Sequence, residues 1–150
     1  MQGSYLLDPI TVCFQNQSVF VRCDSKSLVE PIRTVFLHFS GPEEISRSAS
    51  PSGVFTVQTL DGEFQLSNEN GEILAKTKQL QELQQILKSE VSLALIRATP
   101  EYMWLHASAA ACDNAAFLLT GISGKGKSTL VTSLCEVGWK FLSDDMLPFD

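Results

Sequence analysis

The sequence has no long apolar run and no leader-like start. No uninterrupted apolar segment reaches the length of about 18 residues that a membrane-spanning helix needs. The amino-terminal stretch MQGSYLLDP lacks the basic start and the hydrophobic run of a signal peptide. We therefore expect a cytoplasmic protein without a membrane span.

Positive charge is also scarce, and the cysteines form no recognisable pattern. The 11 Lys and Arg residues are outnumbered by 17 Asp and Glu residues, which gives a formal net charge of -6. An acidic surface repels a phosphate backbone, so general nucleic-acid binding is disfavoured. The 4 cysteines form no CxxC or CxxH pair, which predicts reduced thiols and argues against a zinc site. With 44% hydrophobic and 19% charged residues, the chain has a globular composition.

The first 76 residues predict a β-rich region. ITVCF and SVFVRC flank Gln15-Asn16-Gln17 as a plausible hairpin, and TVFLHFS is a further strand candidate whose His38 receives no role. The small-residue segment SRSASPSG predicts a loop. FTVQTL and EFQLS, joined by Asp-Gly, form the strongest hairpin pattern because Asp-Gly suits a primed two-residue turn. NENG then leads into a short strand, EILAK.

The pattern becomes helical at Thr77. The segment TKQLQELQQILKSEVSLALIRA is predicted to form a helix that covers one face of a sheet, and Pro100 marks its end. Its apolar face consists of Leu80, Leu83, Leu87, Val91 and Leu95. We expect burial on the apolar faces of this helix and of the strands, at Phe55, Val57, Leu83, Leu87, Leu118 and Leu119. We therefore divide the chain into a β-rich region 1–76, a linking helix 77–99 and a nucleotide-binding segment 100–150.

The last third of the chain predicts the order β-β-loop-α-β. YMWLHASAAAC and AAFLLT are strand candidates joined by a turn at Asp113-Asn114. A glycine-rich loop and a helix from about Lys127 to Val137 follow, and WKFLSDD is a further strand that ends in two carboxylates. The expected fold class is thus α+β or α/β, with a β-rich first part and the start of a P-loop kinase core.

The glycine-rich loop matches a phosphate-binding motif. The octet GISGKGKS over 121–128 fits G-x-x-x-x-G-K-[ST] in full, between a strand and a helix. Glycines let backbone N–H groups approach a polyphosphate, and the positive end of the following helix faces the same anion. The motif predicts a nucleoside triphosphate, ATP with Mg²⁺, held by Gly121, Ser123, Gly124, Lys125, Gly126, Lys127, Ser128 and Thr129.

Two carboxylates and one histidine lie at suggestive distances from the loop. Asp144 and Asp145 follow Lys127 by 17 and 18 residues and close the next strand. In a parallel α/β arrangement, the ends of such strands share one edge with the loop. One aspartate could then hold Mg²⁺ while the other accepts a proton from an attacking hydroxyl. His106 precedes Lys127 by 21 residues and could influence the basicity of an aspartate.

With these elements in order, the segment from about Leu105 to Asp150 resembles the HPr kinase/phosphorylase family and its related serine kinases. That resemblance implies a catalytic fold shared with bacterial phosphoenolpyruvate carboxykinases. It also implies that Asp144 is the general base toward a serine or other hydroxyl, on a protein, peptide or small molecule. Ser128 and Asp145 would lie on the metal side, and His106 would support the base. The family's habit of forming oligomers makes a homo-oligomer an expectation.

The chain departs from the family in several respects. Thr129 stands where HPr kinases usually have an acidic residue, and the β-rich first part shows no resemblance to their amino-terminal domain. Because the family's further acidic ligand and basic residues lie downstream, we expect the chain to be the first part, or a remnant, of a longer kinase. The 150-residue chain alone is then expected to be inactive.

Two alternatives remain open at this point. A transporter-type or other P-loop ATPase would also use the glycine loop, although its second acidic strand usually lies much farther along the chain. A non-catalytic nucleotide-binding module would keep the loop without turnover.

Overall fold

The computed structural model describes residues 7–37, 50–122 and 124–149. Within these ranges the fold is mixed α and β, and the β-rich first part predicted from the sequence is confirmed. The chain divides into two compact units, Met1–Thr99 and Pro100–Asp150. No helix in the described ranges is both long and apolar enough to span a membrane.

The first unit is a five-stranded mixed sheet with two helices. Its elements are β1 (Ile10–Phe14), β2 (Gln17–Cys23), α1 (Lys26–Val35), β3 (Gly53–Leu60), β4 (Glu63–Asn68), β5 (Ile73–Thr77) and α2 (Leu80–Ala98). The strand order is β1-β2-β3-β4-β5. β2 and β3 run parallel, whereas the other neighbouring strands run antiparallel.

The predicted hairpins of the first unit are confirmed. β1 and β2 pair around a turn in which Gln15 has a φ of 52°. β3 and β4 pair around Asp61 and Gly62, whose φ values are 52° and 78°. Positive φ at both central residues is the geometry that a primed two-residue turn requires. The Asp-Gly pair therefore sets the turn and, with it, the register of the two strands.

Replacing Gly62 with alanine should destabilise the chain by about 1–2 kcal/mol, because an L-residue pays a steric penalty in the left-handed region. An added Cβ would meet no atom within 4 Å, so the expected loss is conformational and not a clash with a neighbour. Urea denaturation measures the difference. Asp61→Asn is the matched control and should change little, because asparagine tolerates positive φ. Equal stability of Gly62→Ala and wild type would contradict this account of the turn.

The predicted strand TVFLHFS is wrong where the structure describes it. Thr34 and Val35 end helix α1, and the part of the segment from His38 onward lies outside the described residues. The helix forms because Leu28, Ile32 and Phe36, spaced four residues apart, are all buried at 4% exposure or less. Tertiary burial thus outweighs the local strand preference of the segment. The first half of the predicted loop SRSASPSG, residues 46–49, lies outside the described residues, and its last residue, Gly53, begins β3.

A proline lies inside α1 and is accommodated there. Pro31 is the sixth residue of the helix and cannot donate a backbone hydrogen bond. Its carbonyl accepts a hydrogen bond from the side-chain amide of Gln84 in α2, with a distance of 2.8 Å. This contact ties the two helices of the first unit together.

The predicted second helix and its buried face are confirmed. Leu83, Leu87, Val91 and Leu95 of α2 are each exposed by 1% or less, while Leu80 packs partly buried beside them. Phe55 and Val57 of β3 are also buried, as predicted, and the helix packs on the sheet. The wider core of the unit adds Ile10, Val12, Val19, Val21, Cys23, Leu28, Ile32, Phe36 and Leu66.

The four cysteines, all in described parts of the chain, form no disulfide, and they lie in two kinds of environment. Cys13 and Cys23 are buried in the first unit, whereas Cys112 and Cys135 are partly exposed. Burial raises the pKa of the Cys13 thiol. Burial, with a smaller contribution from the Asp24 carboxylate, raises the pKa of Cys23 to about 11. The prediction of reduced cysteines therefore agrees with the structure.

The Cys23 thiol should make folding stability depend on pH in the alkaline range. Its pKa is higher in the folded chain than the usual 9.0, so the unfolded chain loses this proton first. The stabilisation is then complete below about pH 9 and is lost as pH rises toward about 11. Urea denaturation at pH 8, 9, 10 and 11 should show wild type losing stability relative to Cys23→Ala. A difference that stays constant with pH would contradict the assignment.

The second unit contains four strands and one helix in its described part. These are β6 (Met103–Cys112), β7 (Ala115–Thr120), α3 (Lys127–Glu136), β8 (Lys140–Ser143) and β9 (Met146–Phe149). The elements lie where the sequence predicts them, and β9 is an addition. β7, β8 and β9 all pair antiparallel with β6, which is the central strand. Leu118 and Leu119 of β7, predicted to be buried, are half-buried.

Candidate functional site

The glycine loop connects the end of β7 to the start of α3. Gly121, Gly124 and Gly126 have φ values of 141°, 78° and 82°, all in the region that favours glycine. A Cβ added at any of the three would meet no atom within 4 Å among the described residues. The loop thus needs glycine for its backbone path and leaves open space above that backbone. Ser123, also predicted to bind the nucleotide, lies outside the described residues.

The first turn of α3 is suited to an anion. Its N-cap is Gly126, which provides no capping side chain, and the first turn contains no acidic residue. The earliest helical hydrogen bond runs from the Leu130 N–H to the Gly126 carbonyl, with a distance of 2.9 Å. The N–H groups of Lys127, Ser128 and Thr129 therefore have no partner within the helix. Such groups, together with the helix dipole, favour a bound phosphate.

Lys127 reaches back across the loop that precedes it. Its ammonium donates hydrogen bonds to the carbonyl oxygens of Gly121, at 2.7 Å, and Ile122, at 3.2 Å. These bonds hold the positive charge at the loop and not in bulk solvent. Lys125 is exposed on the same loop and adds a second positive charge. The loop and the first turn of α3 therefore combine N–H groups that have no helical partner with two cationic side chains.

Both predicted aspartates lie in the bend between β8 and β9. β8 pairs with the second half of β6, at Ala109–Ala111, and β9 pairs with the first half, at Met103–His106. β8 and β9 thus pair with the same side of β6. Asp144 and Asp145 form the break between them, opposite the middle of β6. The Ala107 N–H donates to the Asp145 carbonyl oxygen at 3.0 Å, which keeps the bend against the central strand.

Each aspartate side chain contacts one polar side chain of β6. His106 Nδ1 lies 3.2 Å from Asp145 Oδ1, and the two form an ion pair when the histidine is protonated. The Ser108 hydroxyl donates to Asp144 Oδ1 at 2.6 Å. His106 and Ser108 are two residues apart on one strand, so their side chains share one face. The resemblance implies that His106 supports the base Asp144, whereas its contact in the structure is to Asp145.

Ser108 is the site residue that sequence reasoning missed. Its hydrogen bond joins residues 36 positions apart in the chain, which no local pattern reveals. The available signal was its spacing: within HASAAAC, Ser108 is the polar residue that alternates with His106 in a strand otherwise made of alanines up to Cys112.

The glycine loop and the bend that contains Asp144 and Asp145 lie at the same end of this sheet, where β7 and β8 end. Thr120, the last residue of β7, pairs with Ala107 on one side of β6, and Asp145 bonds to Ala107 from the other side. Two strand spacings, about 10 Å, therefore separate the backbone of Thr120 from that of Asp145. The sequence predicts a parallel sheet in which the loop and the aspartates share one end, and the structure differs. β7 and β8 run in the same direction, but the antiparallel strand β6 lies between them.

Ser128 and Asp145 carry the kind of oxygen ligand that a magnesium ion takes. The described residues contain no group of three or more His, Cys, Asp or Glu side chains that would form a complete metal cage. Magnesium sites beside a nucleotide rarely use such a cage, because waters and phosphate oxygens complete the shell around one or two protein ligands. The Ser128 hydroxyl and the Asp145 carboxylate are ligands of this kind.

Comparisons with protein-family models, with curated proteins and with solved structures find no match for the chain.

Proposed function

We propose that the chain binds MgATP at the glycine loop and belongs to a kinase resembling the HPr kinases, which transfers the γ-phosphate to a hydroxyl group. The observation that carries the proposal is that β7 and β8 end at the same end of the sheet in the second unit. A phosphate-binding motif at the end of β7 and two anchored carboxylates at the end of β8 flank the same residue, Ala107.

The nucleotide-binding part of the proposal rests on the loop and the first turn of α3. Three glycines with positive φ keep the backbone accessible, and the first N–H groups of the helix lack helical partners. Lys127 would exchange its hydrogen bonds to Gly121 and Ile122 for bonds to the β- and γ-phosphates. Ser123, Gly124, Lys125 and Thr129 complete the proposed phosphate contacts.

The metal would be held by Ser128 and Asp145. A bound Mg²⁺ ion supplies positive charge that offsets the charge of the β- and γ-phosphates. His106, at 3.2 Å from Asp145 Oδ1, would orient that carboxylate from the strand side. An ion pair this exposed contributes little stability, so its proposed value lies in orientation.

Asp144 would act on the acceptor. In the proposed step, the hydroxyl oxygen forms a bond to the γ-phosphorus while its proton moves to the Asp144 carboxylate. The bond from the γ-phosphorus to the bridging oxygen breaks, and ADP leaves with that electron pair. General-base assistance of this kind typically contributes about 10²–10⁴-fold in rate. Asp144 is exposed, as a residue that meets an external hydroxyl has to be.

Transfer of labelled γ-phosphate tests the proposal. The assay offers MgATP and a library of serine-containing peptides to the full-length protein. Label on a peptide hydroxyl is the expected result. Release of inorganic phosphate without transfer would instead support a P-loop ATPase. Tight MgATP binding with neither reaction would support a nucleotide-binding module, and either outcome would overturn the kinase proposal.

A further inference from the structure

We infer that Ser108 is a positioning residue that fixes the carboxylate of Asp144 for proton transfer, a role that rests on the kinase function proposed above. Ser108 lies in the central strand β6 and is 0% exposed. Asp144 lies in the adjacent bend and is exposed. Their 2.6 Å hydrogen bond therefore connects an exposed side chain to the central strand of the unit.

The surroundings of Ser108 indicate that its hydroxyl serves this contact. Its neighbours Ala107, Ala109 and Ala110 are all buried at 1% exposure or less, so the strand interior accepts a methyl group readily. A buried hydroxyl costs free energy unless it is hydrogen-bonded. An alanine at position 108 would be sufficient for packing. The hydroxyl of Ser108 is therefore needed only for its hydrogen bond to Asp144.

The geometry divides the two oxygens of Asp144 between two tasks. Oδ1 accepts the bond from Ser108, and Ser108 is the partner that the described part of the chain provides for this carboxylate. Once Oδ1 is fixed, rotation about the side-chain bonds is restricted, and Oδ2 remains for the acceptor hydroxyl. Oδ2 is then the atom that receives the proton of the acceptor hydroxyl.

His106 and Ser108 act in parallel on the two aspartates. Located two residues apart on one face of β6, they contact Asp145 and Asp144 respectively. The metal-side carboxylate and the acceptor-side carboxylate are thus positioned by separate side chains of one strand. Removing Ser108 should therefore affect transfer and leave nucleotide binding unchanged.

The test compares Ser108→Ala with wild type in the complete protein, with MgATP and the serine peptide that the library assay identifies. We expect kcat to fall by about 10–100-fold, the scale that misplacement of a catalytic group produces. The KM for MgATP and its calorimetric Kd should stay within about twofold of wild type, since Ser108 acts on the acceptor side. Thermal unfolding confirms that the variant is folded.

A double-mutant cycle separates positioning from a general structural effect. In an Asp144→Asn background, Ser108→Ala should lower kcat by less than about twofold, because residues that act through one another are not additive. Equal losses in both backgrounds would overturn the role. Should the alanine variant fail to fold, Ser108→Cys has a slightly larger side chain with a weaker donor and should show the same loss.

The outcomes distinguish this inference from the function on which it rests. Absence of label transfer by the wild-type protein would overturn the proposed kinase function and the positioning role with it. Transfer by wild type with an unchanged kcat in Ser108→Ala would overturn the role of Ser108 alone. A raised Kd for MgATP in that variant would assign Ser108 to nucleotide binding and would also overturn it.

Discussion

Asp144→Asn should reduce phosphate transfer by about 10²–10⁴-fold and leave MgATP binding nearly unchanged. The amide keeps the shape of the side chain but cannot accept the proton of the acceptor hydroxyl. Because the acceptor is not part of the nucleotide, the affinity for MgATP does not depend on this proton transfer. Single-turnover transfer rates and calorimetric titrations measure the two properties separately.

Asp145→Asn is the matched control for this experiment. It changes the neighbouring carboxylate in the same bend, which we assign to the metal side. We expect it to weaken Mg²⁺-dependent nucleotide binding as well as turnover. A normal transfer rate in Asp144→Asn would refute the general-base role, and identical behaviour of both variants would refute the division of labour between them.

Lys127→Ala should weaken MgATP binding by about tenfold to hundredfold. Hydrogen bonds to charged groups contribute about 1.5–3 kcal/mol each, and 1.4 kcal/mol corresponds to a tenfold change in affinity. In the structure the ammonium lies within hydrogen-bonding distance of the carbonyl oxygens of Gly121 and Ile122, which holds it at the glycine loop. Titration calorimetry with MgATP gives the affinity of each protein.

The neighbouring Lys125 offers a control of equal charge. It lies exposed on the same loop, with no contact to the loop carbonyls in the described part of the chain. Lys125→Ala should cost less affinity than Lys127→Ala, because a solvated charge interacts weakly. Unchanged MgATP affinity in folded Lys127→Ala would remove that residue from the site.

Elements defined by short-range chemistry could be predicted from the sequence. The turn at Asp61-Gly62 requires positive φ at two adjacent residues, and Asp-Gly satisfies it without help from the rest of the fold. Helix α2 was predictable because four of its apolar residues repeat at intervals of four and bury one continuous face.

Elements that depend on distant contacts could not be predicted in the same way. Helix α1 contains Pro31 and ends in a segment with strand preference, yet burial of Leu28 and Ile32 against the sheet makes it helical. Strand β9 contains Pro148, which argues against a strand, but it pairs with β6 at the edge of the ladder. Both outcomes depend on partners far away in the sequence.

The candidate site also has a part that local sequence predicts and a part that depends on distant contacts. The glycine loop is a contiguous motif, so its residues and its strand-loop-helix setting could be read from the sequence. The proximity of Asp144 and Asp145 to that loop was expected from a parallel sheet. The structure provides it by a different route, through the antiparallel strand β6 between β7 and β8. The role of Ser108 could be recognised only from the pairing register of β6, which brings it to Asp144.

Titration of ATP into the wild-type chain, with and without Mg²⁺, tests whether the glycine loop binds the nucleotide. We expect saturable binding of one nucleotide per chain, with tighter binding when Mg²⁺ is present. The Mg²⁺ dependence should be lost in Asp145→Asn. Absence of saturable ATP binding by the folded chain, in the presence of Mg²⁺, would contradict the assignment of the glycine loop as a nucleotide site.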